Sequence, residues 1–104
     1  MSVDWALVDT NVFVYALYQH FVDHVRARAL VNRAKAESAG LCTTTQVLAE
    51  FYSTVTNPRR VTIPRTCDEA LADISIILSS PGLVLLRTPA DVVARWSDLV
   101  RTYR

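Results

Sequence analysis

The residue best placed for chemistry in this chain is Asp9. It closes the apolar run Trp5-Ala6-Leu7-Val8 and is followed by Thr10 and Asn11, which open an apolar segment of helical character. An acid therefore stands where a buried strand would end. In open α/β sheets the carboxyl ends of parallel strands face the ligand crevice, so such an acid is disposed toward a bound ion or substrate. The plainer reading is a helix cap, because Asp is a preferred N-cap residue. Thr10 and Asn11 are equally two-sided: they can hydrogen-bond a metal-bound water or shape the turn through side-chain to backbone bonds. Arg59, Arg60 and Arg65 bracket a turn and suit phosphate contact, although a solvated loop has the same composition. His20 and His24 share an i, i+4 face near Asp23, but the intervening Glu of a metalloprotease helix is missing. They read as a solvated helix start.

The elements that must position these residues follow from periodicity and stop signals. Trp5 to Val8 reads as a strand, Val12 to Tyr18 as a short helix, and Phe21 to Glu37 as a second helix that ends near Gly40. Leu41 to Thr43 is a brief strand. Thr43 with Gln46 has capping-box spacing and announces a helix to about Thr56, with Glu50 inside it and Asn57-Pro58 beyond it. Thr66 with Glu69 repeats the spacing and starts a helix to about Ser79; Pro81-Gly82 then turns the chain into the strand Leu83 to Leu86. Thr88, Pro89 and Asp91 start a last helix, where Asp91 fits an acid interacting with the helix dipole. The order β-α-α-β-α-α-β-α implies an α/β fold with a parallel sheet and right-handed helical crossovers.

Composition bounds the function classes. The 104 residues make one domain, with 51% hydrophobic residues and a formal net charge of +1. A broad basic field is excluded, yet ten of the eleven basic residues are Arg, so any anion-binding footprint must be local. Cys42 and Cys67 stand without CxxC or His partners and read as ordinary thiols. There is no run of about 18 uncharged apolar residues and no basic-then-apolar leader, which points to a soluble, cytoplasmic protein. GxGxxG, GxxxxGK and GxSxG are absent. A haloacid-dehalogenase-like phosphatase also begins with a strand-end Asp, but its second acid is here Asn11.

Taken in order, Val8-Asp9-Thr10-Asn11-Val12, Ala49-Glu50-Phe51-Tyr52 and Thr56-Asn57-Pro58-Arg59-Arg60 resemble the first motifs of PIN-domain ribonucleases, with the closest likeness to the VapC-type toxin branch. The resemblance runs from about residue 4 to the end of the chain. It implies a PIN-like three-layer sandwich, a Mg²⁺- or Mn²⁺-dependent endoribonuclease with Asp9 and Glu50 as catalytic, metal-binding acids, an RNA substrate, and a cognate antitoxin as partner. Hard divalent ions need carboxylate oxygens to hold them, orient water and offset phosphate charge. Members of the family add a third and often a fourth Asp on elements beyond Arg104.

Two acids make half such a site. Residues 1–104 are therefore read as one PIN-like domain, incomplete at its C-terminal strands, and weak or inactive as a nuclease by itself. Asp98 is the one late candidate for a further ligand, but it reads better as a solvated helical carboxylate. The alternative function is a catalytically dead toxin remnant that binds an antitoxin or another copy of itself. Assembly is expected on the same grounds: Trp5 to Val8 would become an unpaired sheet edge and apolar surface near Leu99, Val100 and Tyr103 would lie uncovered. The partner would be a second copy or a complementary C-terminal fragment.

Overall fold

The computed structural model describes residues 6–86. The expected last helix, Asp91, Asp98 and the apolar residues Leu99, Val100 and Tyr103 lie outside the described residues, as does Trp5.

Three strands form a parallel sheet in the order β1 (Ala6–Leu7), β2 (Leu41–Thr44), β3 (Leu83–Leu86). In register, Leu7 stands beside Cys42, and Cys42 beside Val84. The helices α1 (Thr10–Leu17) and α2 (His24–Arg33) connect β1 to β2, while α3 (Thr45–Val55) and α4 (Cys67–Leu78) connect β2 to β3. This is the α/β plan that the alternating pattern predicts, and among the described residues it leaves β1 at an edge of the sheet.

The core lies where α1, α3 and the strands meet. Val8, Phe13, Leu41, Phe51 and Val55 are all buried, and the Phe13 and Phe51 rings meet edge to face with centroids 6.3 Å apart. That arrangement suits the ring quadrupoles and ties α1 to α3. Thr43 is fully buried among these apolar groups, and its hydroxyl donates to the Val8 carbonyl at 3.2 Å. Burial without that partner would be costly.

β1 ends at Leu7 where Val8 is expected, α1 begins at Thr10 where Val12 is expected, with Asp9 as its cap, and two further elements differ. The helix read as Phe21 to Glu37 runs only from His24 to Arg33, followed by a 3-10 turn over Glu37–Ala39. At its start, Phe21 is drawn into an aromatic group with Tyr15, Tyr18 and His20, and the chain turns through Tyr18 and Phe21 carbonyls before the helix begins. At its end, the Ala34 carbonyl accepts from the Gly82 amide at 2.6 Å, so the connection into β3 takes over where the helix stops. The second difference is the α3 cap. Thr44, not Thr43, is the N-cap and accepts from the Val47 amide at 3.2 Å. Thr43 points into the core instead, because strand alternation sends neighbouring side chains to opposite faces.

The Thr66–Glu69 capping box is present in both directions: Thr66 Oγ1 accepts from the Glu69 amide at 3.1 Å and Glu69 Oε1 from the Thr66 amide at 3.0 Å. Ser79 is the C-cap of α4. Among the described residues no helix is long and apolar enough to cross a membrane.

Candidate functional site

Asp9 leaves the carboxyl end of β1 and Thr45 leaves that of β2, so α1 and α3 start from the same end of a parallel sheet. This end is where ligands gather in open α/β folds. Glu50 lies on α3 and belongs to the cleft that forms there. The cleft has a volume of about 530 Å³ and includes Asp9, Asn11, Gln46, Glu50, Ser53 and Arg60 among its lining residues.

Asp9 is the N-cap of α1, with Oδ1 accepting from the Thr10 amide at 2.8 Å. The capping reading therefore holds for one oxygen. It does not use up the carboxylate, since an ionised Asp has about four lone-pair positions on two oxygens. Glu50 is exposed on its helix but held at both ends of its carboxylate: Oε2 accepts from the Thr10 hydroxyl at 3.0 Å and Oε1 from the Gln46 amide at 3.4 Å. Thr10 is thus bonded to both acids, through its amide to one and its hydroxyl to the other.

The remaining candidates divide. Asn11 is exposed and lines the cleft, as does Arg60. Arg59 is exposed on the neighbouring turn, where its amide is fixed by Asn57 Oδ1 at 3.0 Å. Arg65 stands apart from them. Its guanidinium bonds both oxygens of Asp73, at 2.9 and 3.0 Å, and Glu69 at 3.1 Å, which commits the fork to α4. His24 uses Nδ1 on the Tyr15 carbonyl at 2.7 Å and His20 packs on Phe21 with ring centroids 4.4 Å apart, so the pair shapes the α1–α2 turn. Cys42 is buried, and the exposed Cys67 accepts a hydrogen bond from the Tyr52 hydroxyl at 3.0 Å.

Sequence reasoning missed Gln46, Ser53 and Thr54 as parts of the cleft. Their signal was available: with Glu50 they recur at helical spacings of three and four, which puts them on one face of α3. The Thr43–Gln46 spacing reads as a cap in the sequence, whereas Gln46 in the fold serves its i, i+4 neighbour Glu50.

The donors brought together are carboxylate, hydroxyl and amide oxygens, with no thiol or imidazole among them, a set that fits a hard divalent cation such as Mg²⁺ or Mn²⁺. Among the described residues no third acid, His or Cys joins them. The PIN domain profile matches residues 6–104. The chain belongs to the PIN-domain family. Over 80 residues it is 34% identical to VapC ribonuclease Mb2897 of Mycobacterium bovis and to Ribonuclease VapC43 of Mycobacterium tuberculosis. Those matches cover 77% of this chain and 54% of each relative, so this PIN chain spans about half the length of the curated relatives it matches.

Proposed function

We propose that this PIN domain supplies the Asp9–Glu50 part of a divalent-metal-dependent endoribonuclease of the toxin–antitoxin type. The observation that carries the reading is the convergence of Asp9 and Glu50, from two elements that start at the carboxyl end of the sheet, on a single polar cleft. The VapC ribonuclease names of its relatives supply the reaction class.

Asp9 and Glu50 would hold the cation, with Asn11 as a further oxygen donor to the ion or its water. When bound, Mg²⁺ or Mn²⁺ offsets charge on the scissile phosphate and lowers the pKa of bound water. The residues of the chain do the rest. Thr10 keeps the two acids in register, and Arg60, with Arg59 beside it, presents positive charge to the RNA backbone at the mouth of the cleft. Arg65 belongs to the fold rather than to the substrate, given its bonds to Asp73 and Glu69.

Among the described residues two carboxylates face the cleft and leave much of a cation's coordination to water or to further acids, so this part of the site is proposed to cleave weakly by itself. A cognate antitoxin and self-association, or a complementary C-terminal fragment that pairs with the β1 edge, are the partners this reading calls for.

The test is RNA cleavage with Mg²⁺ or Mn²⁺ supplied. Asp9→Asn and Glu50→Gln are each expected to abolish the metal-dependent part of the activity, in this chain or in a longer form that contains it. Metal-dependent cleavage that survives in either variant counts against the reading. Tight antitoxin or self-association with no metal-dependent cleavage in any form would favour the binding-module alternative.

A further inference from the structure

Between His24 and Lys35 the chain holds Arg26, Arg28, Arg33 and Lys35 and no acid, so four of its eleven basic residues fall on or beside α2. All four are exposed, and among the described residues the ion pairs belong to Arg65 alone. In a chain of net charge +1 this is a local excess of positive charge.

Arg26, Leu30 and Arg33 recur at i, i+4 and i+7, which puts them on one face of α2. That face, with Val12 and Tyr15 of α1, lines a groove of about 480 Å³. Arg28, two residues from Arg26, lines a separate hollow with Phe13, Asp73 and Ile77. The groove adjoins the cleft, because Val12 lines the one and Asn11, beside it in the first turn of α1, lines the other. Its direction follows from the helix pair. α2 begins against Tyr15, whose carbonyl meets His24 Nδ1 at 2.7 Å, and runs back until Val31 shares a small cavity with Phe13 and Val8. Arg33 therefore stands toward the cleft and Asp23 at the far end of the groove.

We propose that the α1–α2 groove carries the RNA strand beyond the cleft, with Arg33 and then Arg26 on its phosphates and a base against Tyr15. The inference rests on the ribonuclease reading above and adds where the substrate lies outside the Asp9–Glu50 cleft. Basic groups beside an aromatic side chain are what single-strand sites use: the cations follow the backbone, and the ring takes any base by stacking. Seven residues of helix separate the two arginines by about 10 Å, or about three stacked nucleotide steps. Asp23 repels a further phosphate and ends the track. An acidic peptide would meet the same arginines, but continuity with a cleft suited to phosphate chemistry favours RNA.

The experiment is fluorescence anisotropy of labelled oligouridine on the full chain without divalent metal, which reads binding apart from cleavage. Two RNAs are used, of roughly four and about twelve nucleotides, within the range of single-strand site sizes. On the longer RNA, Arg26→Ala and Arg33→Ala are each expected to weaken binding about 5-fold at roughly 0.1 M salt and to flatten the log–log salt slope by about 0.7, the effect of one phosphate contact on a single strand. Wild type should bind the longer RNA more tightly than the shorter, and the double variant should lose that gain. Arg28→Ala removes the same charge outside the groove and should stay close to wild type, since charges more than about 10 Å away are screened at this salt. Melting curves check the fold; if Arg33→Ala loosens the last turn of α2, Arg33→Gln removes the charge and keeps a long side chain. Groove variants that bind the longer RNA like wild type, or an equal loss in Arg28→Ala, overturn the proposal. So does an acidic peptide whose binding falls in the groove variants while RNA binding does not. A wild-type chain that binds neither RNA at low salt overturns the ribonuclease reading and this inference with it.

Discussion

Arg65 grips Asp73 with two nitrogens, Nε to Oδ2 at 2.9 Å and Nη2 to Oδ1 at 3.0 Å, across the loop that leads into α4. The same guanidinium reaches Glu69 at 3.1 Å, and the Arg65 amide donates to the Val55 carbonyl at 2.7 Å, so one residue fastens the end of α3 to the side of α4. Asp73 and Glu69 hold Arg65 above its already high ordinary pKa, with the hydrogen bond to Asp73 as the main cause.

This clamp predicts a separation of roles among the three arginines. Arg65→Lys keeps the charge but cannot reproduce the fork, and is expected to cost about 1 kcal/mol, or roughly 4–8 °C in melting temperature for a domain of this size. RNA affinity at fixed salt should hardly move. Arg60→Ala should behave the other way, with the melting temperature held and RNA binding both weaker and less dependent on salt. Melting curves and salt-titrated RNA binding of the two variants check this. A large RNA defect in Arg65→Lys, at a temperature where it is fully folded, would count against placing Arg65 in the fold.

A pH dependence follows from the α4 cap. Glu69 is held below the ordinary glutamate value of 4.5, first by the Thr66 amide, then by the Thr66 hydroxyl and by Arg65. Its folded-state pKa is depressed, so its contribution is present above the unfolded value and is lost as pH falls through the folded one. Stability should therefore decline as pH drops below about 4.5. Glu69→Gln keeps an acceptor for the cap without a charge to titrate, so its melting temperature should fall less steeply over that window. Parallel pH-melting profiles of wild type and Glu69→Gln decide the matter; identical slopes would remove Glu69 as a cause.

Gly82 marks where backbone crowding matters most. A Cβ built there would collide with the Ala36 carbonyl and come within 2.8 Å of the Ala34 carbonyl, whose oxygen already accepts from the Gly82 amide at 2.6 Å. These are backbone atoms and cannot rotate away. Gly82→Ala is expected to destabilise by at least about 1–3 kcal/mol, the usual cost of overpacking. Chemical denaturation measures it, and a shift under 0.5 kcal/mol, typical of neutral surface changes, would mean that the β3 entry adjusts freely.

Several of these features are legible in the sequence alone. The Thr66–Glu69 box was legible because both halves of the signal lie within one helical turn and nothing distant competes for them. The three strand positions were legible because apolar runs too short for helices are bounded by turn residues. Thr43 and Thr44 were not separable, since adjacent threonines carry the same capping chemistry and only the register of β2 decides which one faces the core. The start of α2 was missed because the pull on Phe21 comes from α1 aromatics. Asp9 and Glu50 could be named from motif resemblance. That Thr10 joins them is a contact between residues 40 apart in sequence, which no local pattern announces. The Arg65–Asp73 pair, eight apart, spans a loop and a helix start and was equally hidden.

The most direct measurement is calorimetric titration of Mn²⁺ into four chains: wild type, Asp9→Asn, Glu50→Gln and the double variant. If both acids hold one ion, each single change should weaken binding by about 10-fold or more, and the double variant should be little weaker than either single one, because the shared site is already broken. Affinities unchanged by either substitution, or single variants that each lose one of two binding events and keep the other at wild-type affinity, would contradict a single cation held between Asp9 and Glu50.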